Sequence, residues 1–428
     1  MSIRISRLPF CAVVMVCLAG CGGGSNGGSG GGGGTGGGTG GGGSSTTVTY
    51  TFTGGTPTAV ATQIGTGAYT QASLQSGALT LSIPSGTTNY SVAYVCPTSI
   101  SSIENVIDAS IEDGTSFTEI CNNWTAPQSG LATLQVNASA IPGASEVDVV
   151  WGSDYTYAQP WSGDTLSFSD QMTAGTYDVF VVVYDSTGEY PLAVRILRSQ
   201  TVPGALNGGN PVVFAASDET VTQTITYDNL PAGSSPFDPP VVDFFTSDGQ
   251  ELELEAFPMV TPATQYPAMP TGAVQSGDYY TFDTSASGGA AGGTVSASMA
   301  TASGGPQTFT FPAPWSYPGP TAAALPTFSF SYTGFSGKPS VVQEATITWT
   351  LGILSGQQIQ MRATASYQSG ATSITIPDLS GLTGFIAPAP SGTLVVWSAE
   401  IQQGSAFQTT PPNGTVQSVA NAGAYIEP

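Results

Sequence analysis

Three closely spaced carboxylates are the first residues of this chain that could do chemistry. Glu251, Glu253 and Glu255 alternate with leucines, so a strand here would place all three on one face. Hard oxygen ligands suit calcium, and Asp248 lies just ahead of them. We interpret these glutamates as a solvated, charged strand edge that discourages aggregation between sheets, and we expect no cofactor. The alternative is a calcium site formed by Asp248, Glu251 and Glu253.

Two aromatic stretches suggest a second kind of chemistry, the stacking of rings on sugar faces. The connection from residue 151 to residue 164 holds four rings and two carboxylates, and a second group of rings lies between residues 311 and 317. Rings of this kind combine an apolar body with a polar group. The candidate ligand-binding residues are Trp151, Asp154, Tyr155, Tyr157, Trp161, Trp315 and Tyr317. The alternative for both stretches is packing in the core.

The chain contains no histidine. This excludes Ser-His and Cys-His nucleophile pairs, histidine general bases and most zinc, copper and non-haem iron sites. A glycoside hydrolase needs only two carboxylates at the right separation, so a carboxylate-dependent polysaccharide hydrolase stays open as the enzymatic alternative. Because no catalytic motif is found, we predict that the protein is not an enzyme.

The charge of the chain is strongly acidic, with a formal net value of −22. Nucleic acid is excluded as a partner, because too few basic side chains are present to neutralise a row of phosphates. An acidic surface also repels anionic lipid head groups, so no basic patch can hold this protein on a membrane. We interpret Arg195 and Arg198 as counterions within the acidic body, with ligand binding as the alternative.

The amino terminus resembles the signal peptide of bacterial lipoproteins. Arg4 and Arg7 precede an apolar run from Leu8 to Leu18 that is too short for a permanent membrane span. The run ends in Leu-Ala-Gly-Cys, which matches the lipobox and places its cysteine at Cys21. The resemblance covers these 21 residues only, and the body of the chain resembles no family that we recognise.

The resemblance implies that residues 1–20 are removed as a signal peptide. It also implies that the Cys21 thiol receives a diacylglyceryl group and that the new amino end carries an acyl chain such as palmitate. Loss of two arginines with the signal changes the net charge from −22 to −24. Gly22 stands where inner-membrane lipoproteins usually have aspartate, so we expect an anchor in the outer membrane of a Gram-negative cell.

The segment after the lipobox is a tether. Residues 21–46 contain the lipidated cysteine and then almost only glycine, serine and threonine, a composition that stays a flexible coil. In the body only Cys96 and Cys121 remain, and two cysteines in an exported protein most simply form one disulfide.

The body has alternating strand patterns, and one device recurs in it. A small residue, glycine and then threonine or aspartate precede an alternating apolar strand four times, with successive glycines 89, 102 and 115 residues apart. The four glycines are Gly86, Gly175, Gly277 and Gly392. We interpret each as the turn of a hairpin in which glycine supplies a positive φ. The spacing is close to the length of an immunoglobulin-like sandwich.

The predicted fold is therefore all-β, with tandem immunoglobulin-like β-sandwich modules after a disordered glycine-rich tether. Proline clusters and one turn suggest borders that give modules at residues 47–138, 139–235, 236–322 and 323–428. For function we predict a lipid-anchored envelope protein with a non-catalytic binding or adhesion role. Its partner would be a glycan or an envelope protein. A third alternative is a purely structural envelope component.

Overall fold

The computed structural model describes ten segments of the chain. They are residues 45–97, 101–121, 129–151, 155–188, 190–234, 240–254, 263–335, 341–351, 355–404 and 413–427. The predicted signal peptide, Cys21 and almost all of the tether lie outside these segments. Within them, no helix is long and apolar enough to cross a membrane.

The protein is all-β and consists of tandem immunoglobulin-like sandwiches. We number its strands along the chain and group them into four modules by their pairing.

The strands of module 1 are β1 (Thr46–Thr53), β2 (Ala59–Ile64), β3 (Thr70–Gln71), β4 (Ala78–Ile83), β5 (Asn89–Pro97), β6 (Ser101–Ser110) and β7 (Ser116–Ile120). The strands of module 2 are β8 (Ser129–Asn137), β9 (Glu146–Trp151), β10 (Tyr155–Pro160), β11 (Leu166–Thr173), β12 (Gly175–Tyr184), β13 (Pro191–Val202), β14 (Gly204–Ala205) and β15 (Val212–Val213).

The strands of module 3 are β16 (Val221–Asp228), β17 (Val241–Phe245), β18 (Glu251–Glu253), β19 (Ala263–Ala268), β20 (Tyr279–Ser287), β21 (Thr294–Thr301) and β22 (Gln307–Thr310). The strands of module 4 are β23 (Thr327–Ser329), β24 (Val341–Leu351), β25 (Ser355–Thr364), β26 (Ser373–Thr375), β27 (Leu394–Gly404) and β28 (Gly414–Ile426). The helical segments are the 3-10 turns Ile111–Asp113, Leu206–Gly209, Ala216–Asp218 and Gly289–Ala291 and the α-helix α1 (Ala365–Gln368).

All four modules repeat one strand order. The first strand of each lies in a short sheet and is followed by two strands in the facing sheet. The next strand returns antiparallel to the first, at β1–β4, β8–β11, β16–β19 and β23–β26. The chain then crosses again, to a strand that pairs with the second, at β2–β5, β9–β12, β17–β20 and β24–β27. The repeat explains why one sequence device occurs four times.

The four signal glycines lie at this second crossing. Each has a positive φ, of 86° at Gly86, 154° at Gly175, 96° at Gly277 and 80° at Gly392, as the sequence predicts. The prediction of hairpins is wrong, because the strands on either side of each glycine belong to different sheets. Glycine is used here because a chain that leaves one sheet for the facing one must turn sharply.

Two predicted borders also need correction. β8 pairs with β11 and so begins module 2 at Ser129, ahead of the predicted border at 138. β16 pairs with β19 and β22, so module 3 begins at Val221 and not after residue 235. The proline-rich segment around residue 235 follows the first strand of module 3, so it connects two strands of one sandwich.

One continuous sheet joins modules 1, 3 and 4. Its described strands run in the order β18-β17-β20-β21-β28-β27-β24-β25-β6-β5-β2-β3, and we call it the shared sheet. β21 pairs antiparallel with β28, and β25 pairs parallel with β6, so backbone hydrogen bonds cross both junctions. Modules 3 and 4 accordingly share one hydrophobic core, while module 1 has a core of its own.

Module 2 keeps two sheets of its own, and its sheet β10-β9-β12-β13 is buried on both faces. Val179, Val181 and Val183 fill the core of module 2, whereas Phe180 and Val182 pack on the core of module 3. The ring centroids of Phe180 and Phe244 are 6.2 Å apart, edge to face. Burial on both faces accounts for the continuous apolar run in β12.

An arginine bridges modules 2 and 3. Arg198 Nη1 lies 2.8 Å from Asp178 Oδ2, and its Nη2 lies 2.6 Å from Asp278 Oδ2 and donates to the Ala273 carbonyl. Asp248 reaches back across the junction and accepts from the backbone N–H of Asp178 at 2.7 Å. With Arg195 3.6 Å from Asp218, the counterion interpretation of both arginines is confirmed.

A second arginine ties module 1 to module 4, and a disulfide within module 1 supports its partner. Arg362 Nη2, on β25, lies 2.8 Å from Glu119 Oε2, on β7. Tyr94 donates to the same oxygen at 2.6 Å. Cys96 and Cys121 form the predicted disulfide, which links the end of β5 to the residue after β7 and so holds Glu119 near Arg362.

Candidate functional site

A group of rings on module 4 is the best candidate for ligand contact. We call Trp315, Tyr317, Phe330, Tyr332 and Trp397 the aromatic cluster. Ring centroids are 4.6 Å apart for Trp315 and Tyr317, and 5.4 Å apart for Tyr317 and Trp397. Tyr317, Tyr332 and Trp397 are half-buried, so parts of three neighbouring rings face solvent.

The segment from residue 311 to residue 326 positions this cluster. It forms neither strand nor helix, as its prolines dictate, and it lies over the shared sheet. Asn421 donates to the Trp315 carbonyl at 2.9 Å, and the Tyr425 hydroxyl donates to the Ala323 carbonyl at 2.7 Å. The proline-rich segment is thus fixed to β28 by side-chain hydrogen bonds.

Two glycines let Trp397 lie close to the backbone. Gly423 is its cross-strand partner on β28, and a Cβ there would come within 2.6 Å of the indole ring. A Cβ on Gly319 would come within 3.1 Å of the same ring. Sequence reasoning missed Trp397, because only the folded chain shows that it meets Tyr317 and Phe328. No signal in the sequence alone marks Trp397, because its pairing with Gly423 is a property of the strand register.

Trp315 itself is not available to a ligand. It is 4% exposed and packs against Phe330 in the core, with ring centroids 5.8 Å apart. Its indole Nε1 has no hydrogen-bond partner. The packing alternative therefore describes Trp315, while the ligand alternative stays a hypothesis for Tyr317.

The aromatic connection of module 2, from residue 151 to residue 164, also contains one buried and one half-buried tryptophan. Trp151 is 4% exposed and belongs to the core of module 2, which corrects its assignment as a contact residue. Trp161 is half-buried against that core. Asp154 lies outside the described residues, as do the side chains of Tyr155 and Tyr157, although the backbones of both tyrosines belong to β10.

The predicted calcium ligands are not brought together. Asp248 caps its own turn: its Oδ1 accepts from Thr246 and its Oδ2 from Asp178 N–H. No group of three or more acidic, cysteine or histidine side chains that could hold a metal ion occurs among the described residues, so Asp248, Glu251 and Glu253 do not form one. Glu255 lies outside the described residues.

Glu251 and Glu253 instead surround a buried carboxyl on the shared sheet. Asp243 is paired with Glu253 across β17 and β18. Burial, reinforced by Glu251, Glu253 and Asp283, raises the pKa of Asp243 to about 8. A carboxyl in this position therefore holds its proton at neutral pH.

A second pair of carboxylates lies on the central strands of the shared sheet. Glu344 on β24 stands directly opposite Glu400 on β27, and Arg362 is the other cross-strand neighbour of Glu344. Burial and the neighbouring Glu344 raise the pKa of Glu400 to about 7. Sequence reasoning missed this pair, because the two residues are 56 positions apart and only the strand register brings them together.

Module 2 carries a depression whose lining lacks a pair of carboxylates. It is lined mainly by apolar residues, among them Leu134, Trp151, Phe168 and Met172, and Asp170 is its only carboxylate. Hydrolysis of a glycosidic bond takes two carboxylates on either side of that bond. The lining of this depression therefore gives no support to the hydrolase alternative.

Comparison with known proteins gives no family. No protein-family model matches the chain, and no curated protein sequence is similar to it. Among solved structures, the chain aligns with the Bacillus anthracis TIE protein at 10% identity and a TM-score of 0.14, over 62% of this chain and 50% of that one. It aligns with the pilus adhesin SpaC of Lactobacillus rhamnosus GG at 9% identity and a TM-score of 0.13, over 75% and 43%.

A third alignment is with a tetra-tandem repeat from the extending region of a large adhesion protein. The identity is 11% and the TM-score 0.14, over 90% of this chain and all of that one. The chain thus spans half or less of the first two proteins. TM-scores of this size assign no function to the chain.

Proposed function

We propose that this chain is a lipid-anchored protein of the bacterial cell envelope that binds a partner without catalysing a reaction. The aromatic cluster is the observation that carries the proposal. It offers three half-buried rings, Tyr317, Tyr332 and Trp397, on a sheet that joins three of the four modules. Rings that are fixed before a ligand arrives lose little conformational entropy on binding.

The chemistry of the cluster favours a carbohydrate partner. Indole and phenol rings stack on the apolar faces of sugars. The contact would be made by the rings alone at the two tyrosines, because the Tyr317 hydroxyl is buried and the Tyr332 hydroxyl donates to the Ala313 carbonyl at 2.8 Å. The acidic body repels polyanions, so a neutral or cationic glycan fits better than a sulfated or phosphorylated one. The described arginines are all engaged in ion pairs and leave no cation for an anionic ligand.

Glycan binding can be tested with the full chain purified in detergent. Tyr317→Ala and Trp397→Ala remove rings from the aromatic cluster, and Tyr177→Ala, which removes a half-buried ring, is a matched control on module 2. We expect the first two variants to lose at least tenfold in affinity on a glycan array and the control to bind as the unaltered chain does. A chain that binds no glycan, or three variants that bind alike, would exclude the aromatic cluster as a carbohydrate site.

The membrane anchor has a separate test. Cys21→Ser removes the thiol that the lipobox resemblance predicts to be lipidated. We expect the variant to leave the membrane fraction and to stop incorporating labelled palmitate in cells. Retention of both properties would contradict lipid anchoring without affecting the glycan result.

One observation favours the enzymatic alternative, namely the facing carboxylates Glu344 and Glu400. The described groups beside them are amides, hydroxyls and the Arg362 guanidinium, whereas an aromatic-lined cleft is what the hydrolase alternative predicts. Release of reducing sugar from a polysaccharide, abolished by Glu400→Gln, would overturn the non-catalytic proposal.

A further inference from the structure

One of the paired glutamates of the shared sheet, Glu344, has an oxygen atom that no protein group satisfies. Glu344 is 4% exposed, and its Oε1 accepts from Gln360 Nε2 at 2.8 Å. Its Oε2 is buried and has no hydrogen-bond partner. An unpartnered, buried carboxylate oxygen is costly, so a structure that keeps one needs a group to satisfy it.

A hydroxyl beside this oxygen is also unpartnered. Thr346 follows Glu344 by two residues on β24, so both side chains leave the same face of the sheet. Thr346 is 8% exposed, and its Oγ1 has no partner. Glu344 Oε2 and Thr346 Oγ1 are thus two buried oxygens without a hydrogen-bond partner. A metal cation, which accepts electron pairs from oxygen, would satisfy both.

The opposite strand contributes a third oxygen ligand. Glu400 faces Glu344 across β24 and β27. Its Oε1 accepts from Gln402 Nε2 at 3.1 Å, and Ser418 on β28 also bonds its carboxylate. Glu400 is half-buried, so the site can be reached from solvent. Directly opposed residues have Cβ atoms about 5 Å apart, which lets two carboxylates meet on one ion.

The local charges point to a divalent cation. Arg362 stands beside Glu344, but its guanidinium is paired with Glu119 at 2.8 Å. Arg362 carries one positive charge, and Glu119, Glu344 and Glu400 carry three negative charges when all are ionised. The net charge of the group is then −2. A single divalent ion would cancel this charge.

We infer that Glu344, Glu400 and Thr346 form a calcium site on the central strands of the shared sheet. Calcium takes six to eight oxygen ligands at about 2.3–2.6 Å, and water can complete the set. The site is separate from the one predicted at Asp248, Glu251 and Glu253, and it lies on the face of the sheet that is opposite to Trp397 and the rest of the aromatic cluster.

Calorimetric titration of the EDTA-treated full chain with calcium chloride tests this inference. The buffer is held at pH 7.5 with 150 mM sodium chloride, which screens loose binding to the acidic surface. We expect one saturable site per chain. Glu344→Gln and Glu400→Gln keep the side-chain shape and should each weaken binding at least tenfold, and Thr346→Val should weaken it less.

Asp243→Asn is the matched control, because it removes a buried carboxyl from the same sheet outside the proposed site. It should bind calcium as the unaltered chain does. Circular dichroism in EDTA confirms that each variant is folded before titration. Absence of a saturable site, or equal binding by all the variants, would overturn the inference.

Discussion

Module 2 and module 4 are attached to their neighbours by different means. Module 4 is joined to modules 1 and 3 by backbone hydrogen bonds, since β25 pairs with β6 and β28 with β21. Module 2 is joined to module 3 by side chains, chiefly Phe180 and Arg198. A backbone ladder depends little on residue identity, whereas a side-chain junction can be removed by one substitution.

The two junction arginines differ in how well they are covered. The Arg362 side chain is 11% exposed and the Arg198 side chain 19% exposed. Loss of Arg362 leaves Glu119 and the buried Glu344 without a cation, whereas Asp178 and Asp278 at the Arg198 junction still accept hydrogen bonds from backbone N–H groups. We therefore expect a larger loss of stability at the junction of modules 1 and 4, where Arg362 is the less exposed of the two arginines, although backbone hydrogen bonds already hold that junction.

The largest effect is expected from Arg362→Met. The substitution keeps much of the side-chain volume but leaves the half-buried Glu119 and the buried Glu344 without a cation, which costs about 3–5 kcal/mol. Urea denaturation of the full chain measures the loss. Arg195→Met is the control, since the Arg195 side chain is 42% exposed and such pairs contribute at most about 1 kcal/mol. Equal losses in the two variants would contradict this account of the junction.

The next effect is expected from the double substitution Cys96→Ser and Cys121→Ser. The disulfide closes a loop with a sequence separation of 25, for which the chain-entropy estimate gives about 3 kcal/mol. Hydrogen exchange followed by mass spectrometry should show loss of protection in β5 and β7, with β8 to β13 unchanged. Uniform loss throughout the chain would mean that module 2 unfolds together with the shared sheet.

Arg198→Met should have a smaller effect, of about 2 kcal/mol, because part of the guanidinium is in solvent and the ion pairs are partly screened. Asp178 and Asp278 would then face each other without a cation. Hydrogen exchange should increase in β12 and β13 and in the turn before β20, while β24 to β28 stay protected. Faster exchange in β24 to β28 would contradict a junction made of side chains.

The last effect is a dependence of the shared sheet on pH, which is small per pH unit, at most about 1.4 kcal/mol for one group. The pKa of Asp243 is raised to about 8, so between pH 4 and pH 8 the folded chain binds more protons than the unfolded chain. Its contribution to stability therefore falls as pH rises through that window. Denaturation midpoints at pH 5, 6, 7 and 8 should decline, and Asp243→Asn should flatten the slope. A slope that Asp243→Asn leaves unchanged would assign the effect to other groups.

Much of the fold could be predicted from the sequence. Alternating strands, the module-sized repeat and the positive φ of Gly86, Gly175, Gly277 and Gly392 follow from local pattern and from the steric freedom of glycine. The pairing of the strands does not follow from local pattern. A glycine turn between two strands fits a hairpin and a crossing equally well, because both need the same backbone conformation.

The remaining differences also come from long-range contacts. Apolar residues at Phe180 and Val182, between the core valines of β12, were the sign that this strand is buried on both faces. The prolines near residue 235 mark a connection inside module 3, since proline interrupts pairing wherever it occurs. Trp397, Glu344 and Glu400 gain their neighbours only through strand register, which composition and spacing leave open.

The position of β1 has a mechanical consequence. A pull on the chain ahead of Thr46 acts along β1, which is hydrogen-bonded to β4 on one side and to β7 on the other. Force along a strand shears its hydrogen bonds together, whereas force across it opens them one at a time. β7 leads to Cys121, whose disulfide passes the load to β5 and so into the shared sheet. Tension from the amino terminus is thus spread over three modules and is not concentrated at one linker.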